Sequence, residues 1–340
     1  MRTSNRRLGI FRKLSLAAAC LAALVVVLGA WVRLTDAGLG CPDWPGCYGH
    51  FHPQQAVAEA AQIQAQYPSR EFNYAKALHE MIHRYFATGL GLLIVSLLFA
   101  AVWNRKDPRQ PLLPVVVLFA VVCLQGSLGA FTVTLLLKPL IVTAHLLGGL
   151  TTLGLLVWLA RQPERRTLSA AESRLKVFAL MGLVLLTFQI ALGGWTSTNY
   201  ASVACPDFPT CQRSFWPSMD FRDAFVLWRG LGVDYEGGVL AHPARVAIHF
   251  THRLGALIAG SVLISVGVMA WLDGATRTVK AAGLLLLGAV ILQISLGIST
   301  VLWGVPLGIA TAHNAGAALL VVAMVLLLRA LNPQPAVRGL

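Results

Sequence analysis

A chain of 340 residues that is 56% hydrophobic and only 12% charged, with a mean hydropathy of +0.68, lies far from the composition of a soluble domain, in which about a quarter of the residues carry charge. Lipid offers no partner to a polar group, so the deficit of charge points to a membrane protein. The net charge of +13 could suggest nucleic acid, but the basic residues stand at the ends of apolar runs rather than on one soluble face, and no nucleic-acid partner is expected.

A membrane span needs roughly 20 apolar residues. The first such run covers 14–32. No small-residue cleavage site follows it, so it is expected to remain as a span rather than be removed as a signal peptide. Ala17-Ala18-Ala19-Cys20 is a poor lipoprotein site, and Cys20 is expected to be an inert core thiol. A long loop over 33–77 contains the pair Cys41 and Cys47. The next runs are 78–103, which carries Glu80 and His83 near its start, then 112–133 with Gln125, and 139–160 with His145. A basic linker over 161–174 leads to 175–195. A second long loop, 196–242, contains Cys205 and Cys211, and the last runs are 243–272, 279–300 and 307–330. The expected fold class is all-α: a polytopic membrane protein of eight transmembrane helices.

Charge sets the orientation, because short cytoplasmic segments collect Lys and Arg. With the N-terminus inside, the inner segments hold Arg2, Arg6, Arg7, Arg12, Lys13, Arg105, Lys106, Arg109, Arg161, Arg165, Arg166, Arg174, Lys176, Arg277, Lys280, Arg329 and Arg338. The outer loops hold about half as many. Both termini are therefore expected in the cytoplasm and both long loops outside.

The chain repeats itself. Cys41-Pro42-Asp43-Trp44-Pro45-Gly46-Cys47 matches Cys205-Pro206-Asp207-Phe208-Pro209-Thr210-Cys211 at an offset of 164. His83-Arg84 matches His252-Arg253 at 169, while Gln125 matches Gln293 and Ala144-His145 matches Ala312-His313 at 168. Each half has four spans, so both halves enter the membrane in the same direction. The expectation is a parallel repeat of two four-helix bundles, 1–160 and 175–340, about a pseudo-twofold axis along the membrane normal. Disulfides Cys41–Cys47 and Cys205–Cys211 are expected in an oxidising periplasm, with zinc as the competing reading of paired cysteines. The spacing does not separate a structural staple from a redox-active pair.

Four of the nine histidines stand inside spans at repeated positions: His83, His145, His252 and His313. An ionisable residue within a span is a functional-site hypothesis, and two matched pairs make a purely structural role improbable. All four fall in one layer near the outer ends of their spans. One histidine from each of two facing helices is what axial ligation of a haem iron requires. Arg84 and Arg253 are candidates to pair with haem propionates or, alternatively, to snorkel to the interface. Glu80 shares a helix face with His83, and its counterpart is His249, so the two sites differ. Its alternative role is a structural pair with Arg84. His79 is a weaker candidate on the same face, and Gln125 and Gln293 are candidates either to support the histidines or to bond helix to helix. His50, His52 and His242 are expected to be solvated loop residues.

The segment Trp31-Val32-Arg33-Leu34-Thr35-Asp36-Ala37-Gly38-Leu39-Gly40-Cys41-Pro42-Asp43-Trp44-Pro45 resembles the first outer loop of the haem A synthases, and Glu80-x-x-His83-Arg84 with the three later histidines extends the resemblance over nearly the whole chain. That resemblance implies an eight-helix inner-membrane enzyme that oxidises the C8 methyl of haem O to a formyl by successive hydroxylation and loss of water. It implies a haem b cofactor held by His252 and His313, substrate haem O received by His83 and His145, and Glu80 as the catalytic carboxylate. A haem O synthase and an electron acceptor are the expected partners. Two other classes compete: a di-haem b-type electron carrier, against which the Glu80/His249 asymmetry argues, and a thiol-disulfide oxidoreductase, which needs no histidine layer.

Overall fold

The structure, a computed structural model, describes residues 2–66 and 72–334. Arg338 lies outside the described residues, as does the side chain of Arg2. Eleven helices form among the described residues: α1 (Arg2–Leu34), α2 (Pro53–Val57), α3 (Ala60–Gln66), α4 (Tyr74–Trp103), α5 (Leu112–Thr134), α6 (Pro139–Ala160), α7 (Ala170–Thr198), α8 (Phe221–Ala224), α9 (His242–Asp273), α10 (Arg277–Leu302) and α11 (Leu307–Ala330). Eight of them are long and apolar enough to cross a membrane. No strand forms among these residues, only isolated bridges such as Cys47–His50 and Cys211–Ser214.

Helices α4, α7 and α10 run longer than their apolar windows, because capping residues lie beyond them. Asn73 accepts a hydrogen bond from the Lys76 amide to start α4, and Thr276 does the same for Val279 at the start of α10. Ser169 and Glu172 close a reciprocal capping box, so α7 begins inside what the sequence reads as linker. His242, expected in a loop, is the first residue of α9.

Helix α1 packs on α4 and α6, and α5 on α4 and α6; α9 packs on α7 and α10, and α10 on α11. Contacts of α1 with α11, and of α6 with α7 and α11, join these two groups. The main apolar core runs along the seam: Ala18 and Ala22 of α1, Leu153 and Leu156 of α6, Leu186 of α7, and Met324 and Leu327 of α11 are all buried. Large side chains such as Phe99, Trp103, Leu113 and Phe188 point outward. In water such a surface would be an aggregation liability; in a bilayer it faces acyl chains. Cys20 lies on this outer surface, not in the core as expected, because its helix face is turned away from the seam.

Local geometry recurs at the repeat spacing. Asp43 accepts from the amides of Tyr48 and Gly49, and Asp207 accepts from those of Gln212 and Arg213. Asp36 and Tyr200 occupy matched positions, both with positive φ, and bond directly to each other: the Tyr200 hydroxyl donates to Asp36 Oδ1 at 2.7 Å. Arg33 reinforces the junction, donating to the Ser197 carbonyl at 2.7 Å and to the Tyr200 hydroxyl at 3.1 Å. Burial pushes the Tyr200 phenol above its ordinary pKa, so it remains a donor here.

Candidate functional site

Two long spans of each group carry the four histidines. His83 is nine residues into α4, His252 ten into α9, and His145 and His313 six into α6 and α11. At about 1.5 Å per residue all four lie ~9–15 Å below the same end of the bundle, in one layer. His83 stands within electrostatic reach of His145, and His252 of His313.

Each ring rests against a glycine on a neighbouring helix. A Cβ at Gly29 of α1 would stand 3.0 Å from His83 Cε1, and one at Gly193 of α7 would stand 3.2 Å from His252 Cε1. The corresponding distances are 3.5 Å from Gly129 of α5 to His145 and 3.0 Å from Gly297 of α10 to His313. Gly29 and Gly193 are 164 residues apart, and Gly129 and Gly297 are 168 apart, so the support repeats with the histidines it serves. Without a side chain at these positions the imidazole can lie flat against the next helix. The Nδ1 atoms of His83, His145 and His313 are buried with no hydrogen-bond partner among the described residues. Buried polar atoms are normally satisfied, so an unpartnered nitrogen on each of these three rings is available to a ligand. Paired rings, each backed by glycine in an apolar setting, fit a haem with two axial ligands.

The supporting glutamines differ between the pairs. Gln293 Nε2 lies 3.4 Å from His313 Nε2, and Gln125 and Gln293 cross Gly148 and Gly316, where no Cβ would fit. Gln189 of α7, which has no counterpart at the repeat spacing, reaches His252: its amide nitrogen is 3.0 Å from His252 Nδ1 and donates to the His252 carbonyl at 3.0 Å. The close approach is allowed by Gly255 on α9, where a Cβ would collide with Gln189 Oε1. At the repeat spacing Val25 stands in place of Gln189 and Phe86 in place of Gly255, so His83 meets the Val25 backbone and no side-chain amide.

Glu80 is buried beside His83 at 5% exposure. Its Oε2 accepts from the Cys41 amide at 2.8 Å, and its Oε1 accepts from Arg84. The carboxylate thus ties α4 to the first cysteine loop, and the ion pair with Arg84, one turn on, is present. Arg84 also donates to the carbonyls of Asp43, Pro45 and Gly46. Arg253 donates to those of Thr210 and Cys205 at 2.8 Å. Both arginines therefore anchor the cysteine loops over the histidine layer rather than snorkelling to an interface. His249, the counterpart of Glu80, is buried, and its Nδ1 lacks a partner among the described residues. His79 stacks on Trp31 with ring centroids 4.0 Å apart. His50 meets Glu59, and His52 caps α2.

Cys41–Cys47 and Cys205–Cys211 are disulfides, which removes their thiolates from any zinc site. Beside the second, Asp207 is held below the usual carboxylate range, first by the Thr210 hydroxyl and then by the Arg213 and Gln212 amides.

The chain is similar to known proteins over most of its length. A model of the family described as cytochrome oxidase assembly protein matches residues 12–325. The chain is 43% identical over 305 residues to a Heme A synthase of Shewanella oneidensis, covering 89% of this chain and 91% of that protein. It is 31% identical over 336 residues to a Heme A synthase of a Methylobacterium species, covering 93% and 90%. It is 27% identical over 324 residues to a Heme A synthase of Rhizorhabdus wittichii, covering 88% of each chain. A repeated layer of glycine-backed histidines, the buried glutamate beside one of them and these matches together make the chain a member of the cytochrome oxidase assembly protein family to which the haem A synthases belong.

Proposed function

We propose that the chain oxidises the C8 methyl of haem O to the formyl of haem A, within the inner membrane of a bacterium and with both termini cytoplasmic. The observation that carries this reading is the histidine layer, in which two ring pairs recur with their glycine supports while Glu80 and Gln189 do not recur. The repeat is read as two parallel four-helix halves, 1–160 and 175–340, joined by 161–174. The direct Asp36–Tyr200 contact between matched positions supports a pseudo-twofold axis at that seam.

The asymmetries assign the halves. Gln189, which does not recur, holds the His252 ring in place through Nδ1 and the His252 carbonyl. The second half, with His252 and His313, is therefore assigned the resident haem b. His252 and His313 would hold that haem, which would supply electron transfer. The first half, where the buried Glu80 stands in place of His249, is assigned the exchangeable substrate haem O between His83 and His145.

Conversion of a methyl to a formyl with water as the oxygen source removes four electrons and four protons. An electron acceptor must take the former and a base must receive the latter. Glu80 is a carboxylate beside the substrate-side histidine, fixed by the Cys41 amide and the Arg84 guanidinium. It can accept a proton at either oxygen or hold a negative charge against an electron-poor carbon. The Cys41 amide belongs to the loop that Arg84 grips through three carbonyls, so the loop, the arginine and the carboxylate form one rigid unit above the site. Propionate contacts by Arg84 and Arg253 stay part of the proposal, as does a haem O synthase that supplies the substrate.

Histidine substitution tests the assignment. His252→Ala or His313→Ala should strip the tightly bound haem b from the purified protein. His83→Ala or His145→Ala should leave much of it while abolishing haem A formation. Loss of all haem from the first-half variants, with retention in the second-half variants, would invert the assignment.

A further inference from the structure

At the end of the bundle remote from the histidines, a cavity of about 160 Å³ opens between α1, α6 and α11. Its walls include four arginines, Arg12, Arg109, Arg161 and Arg329, and no acidic residue. Most of this charge is met by neutral groups. Arg12 donates to the Gln162 side chain at 2.9 Å. Arg329 donates twice to the Arg161 carbonyl, at 3.0 and 3.1 Å, and lies 4.6 Å from the centre of the Trp158 ring. Arg109 pairs with Asp107, outside the lining. Arg12, Arg161 and Arg329 have no carboxylate partner among the described residues.

Retention of basic residues on one side of a membrane needs only their presence near the span ends. It does not need arginines from α1, α11, the end of α6 and the α4–α5 loop to line one cavity, where like charges repel each other. An anion in their midst reverses that repulsion, and the planar fork of arginine matches the oxygens of a phosphate. The rest of the wall suits a lipid. Leu8 and Phe11 give it an apolar side, and Trp158 is an aromatic of the kind that settles at the headgroup level.

We propose that this cavity binds a phosphodiester anion, the headgroup of an anionic phospholipid, which clamps α1 and α6 to α11. Basic pockets between spans are a known mode of headgroup capture. Because α1 and α6 belong to one group of packed helices and α11 to the other, the lipid bridges the main seam of the molecule. The site lies away from the histidine layer and does not depend on what that layer binds.

The test uses the full chain, purified in mild detergent and given phosphatidylglycerol or phosphatidylcholine of identical acyl chains, with retention read by native mass spectrometry. Wild-type protein should keep phosphatidylglycerol selectively. The Arg12→Gln/Arg329→Gln variant should bind it roughly 30-fold more weakly, as expected for two interfacial charges. If that variant does not accumulate, Arg161→Gln makes the same test at an exposed position, with a loss of roughly 5-fold. Histidine-layer properties should be unchanged in either variant. Equal retention of the two lipids, undiminished retention of phosphatidylglycerol by the variant, or its displacement by inorganic phosphate at matched ionic strength would overturn the proposal.

Discussion

Gly297→Ala and Gly288→Ala make the same chemical change on the same helix, and the structure requires opposite outcomes. A Cβ at Gly297 would stand 3.0 Å from His313 Cε1, whereas one at Gly288 has nothing within 4 Å. Ordinary contact begins at 3.4 Å, so the imidazole or its helix must give by a few tenths of an ångström to admit the methyl at Gly297. Metal–ligand distances hold to about ±0.2 Å, so a ring displaced that far no longer ligates well. Overpacking of this kind costs about 1–3 kcal/mol, equivalent to a roughly 5- to 150-fold loss of haem affinity. Alanine also gains about 0.8–1.0 kcal/mol of helix propensity over glycine, but both variants share that gain and it cancels in the comparison. The assay is haem b absorbance per mole of purified protein, followed by the rate at which apomyoglobin withdraws the haem. Gly288→Ala should match wild type, while Gly297→Ala should be depleted and quick to lose what remains. Equal haem content and equal loss rates in the two would refute the role given to the glycine supports.

Two further outcomes bear on the carboxylate and on orientation. Glu80→Gln keeps the shape and removes the charge, so the protein should insert and keep its haem b spectrum while haem A output falls by roughly 100-fold or more. Near wild-type haem A from a normally accumulated variant would remove Glu80 from the mechanism, and failure of the protein to accumulate would assign it to the structural pair with Arg84. Alkaline phosphatase fused near residue 60 or 220 should be active, and near 107 or 168 inactive; the reverse pattern would invert the topology.

The spans, the histidine layer and the disulfides were legible in the sequence because each leaves a mark that survives without coordinates. Apolar length marks a span, and a repeated polar residue inside one marks a site. The bundle edges were less legible. The capping box at Ser169 and Glu172 sets the start of α7 inside a basic stretch that hydropathy reads as linker. Gln189 escaped notice for a different reason: its counterpart is Val25, so a search for matched residues passes it by, although a lone amide in an apolar span is itself a signal. The glycine supports were invisible, since glycine is common in packed spans and only the approach of a ring distinguishes Gly297 from Gly288. For Arg84 and Arg253, sequence offers charge near the histidine layer but not the cysteine-loop carbonyls to which both arginines donate.

The central claim is that this chain makes haem A from haem O. Its most direct measurement is mass analysis of haems extracted from cells that lack haem A synthase activity and express the chain together with a haem O synthase. Haem A should be present, accompanied by haem b and falling amounts of haem O. Extracts containing haem b and undiminished haem O, with no haem A, from cells that accumulate the chain in the membrane would contradict the account and favour a di-haem electron carrier.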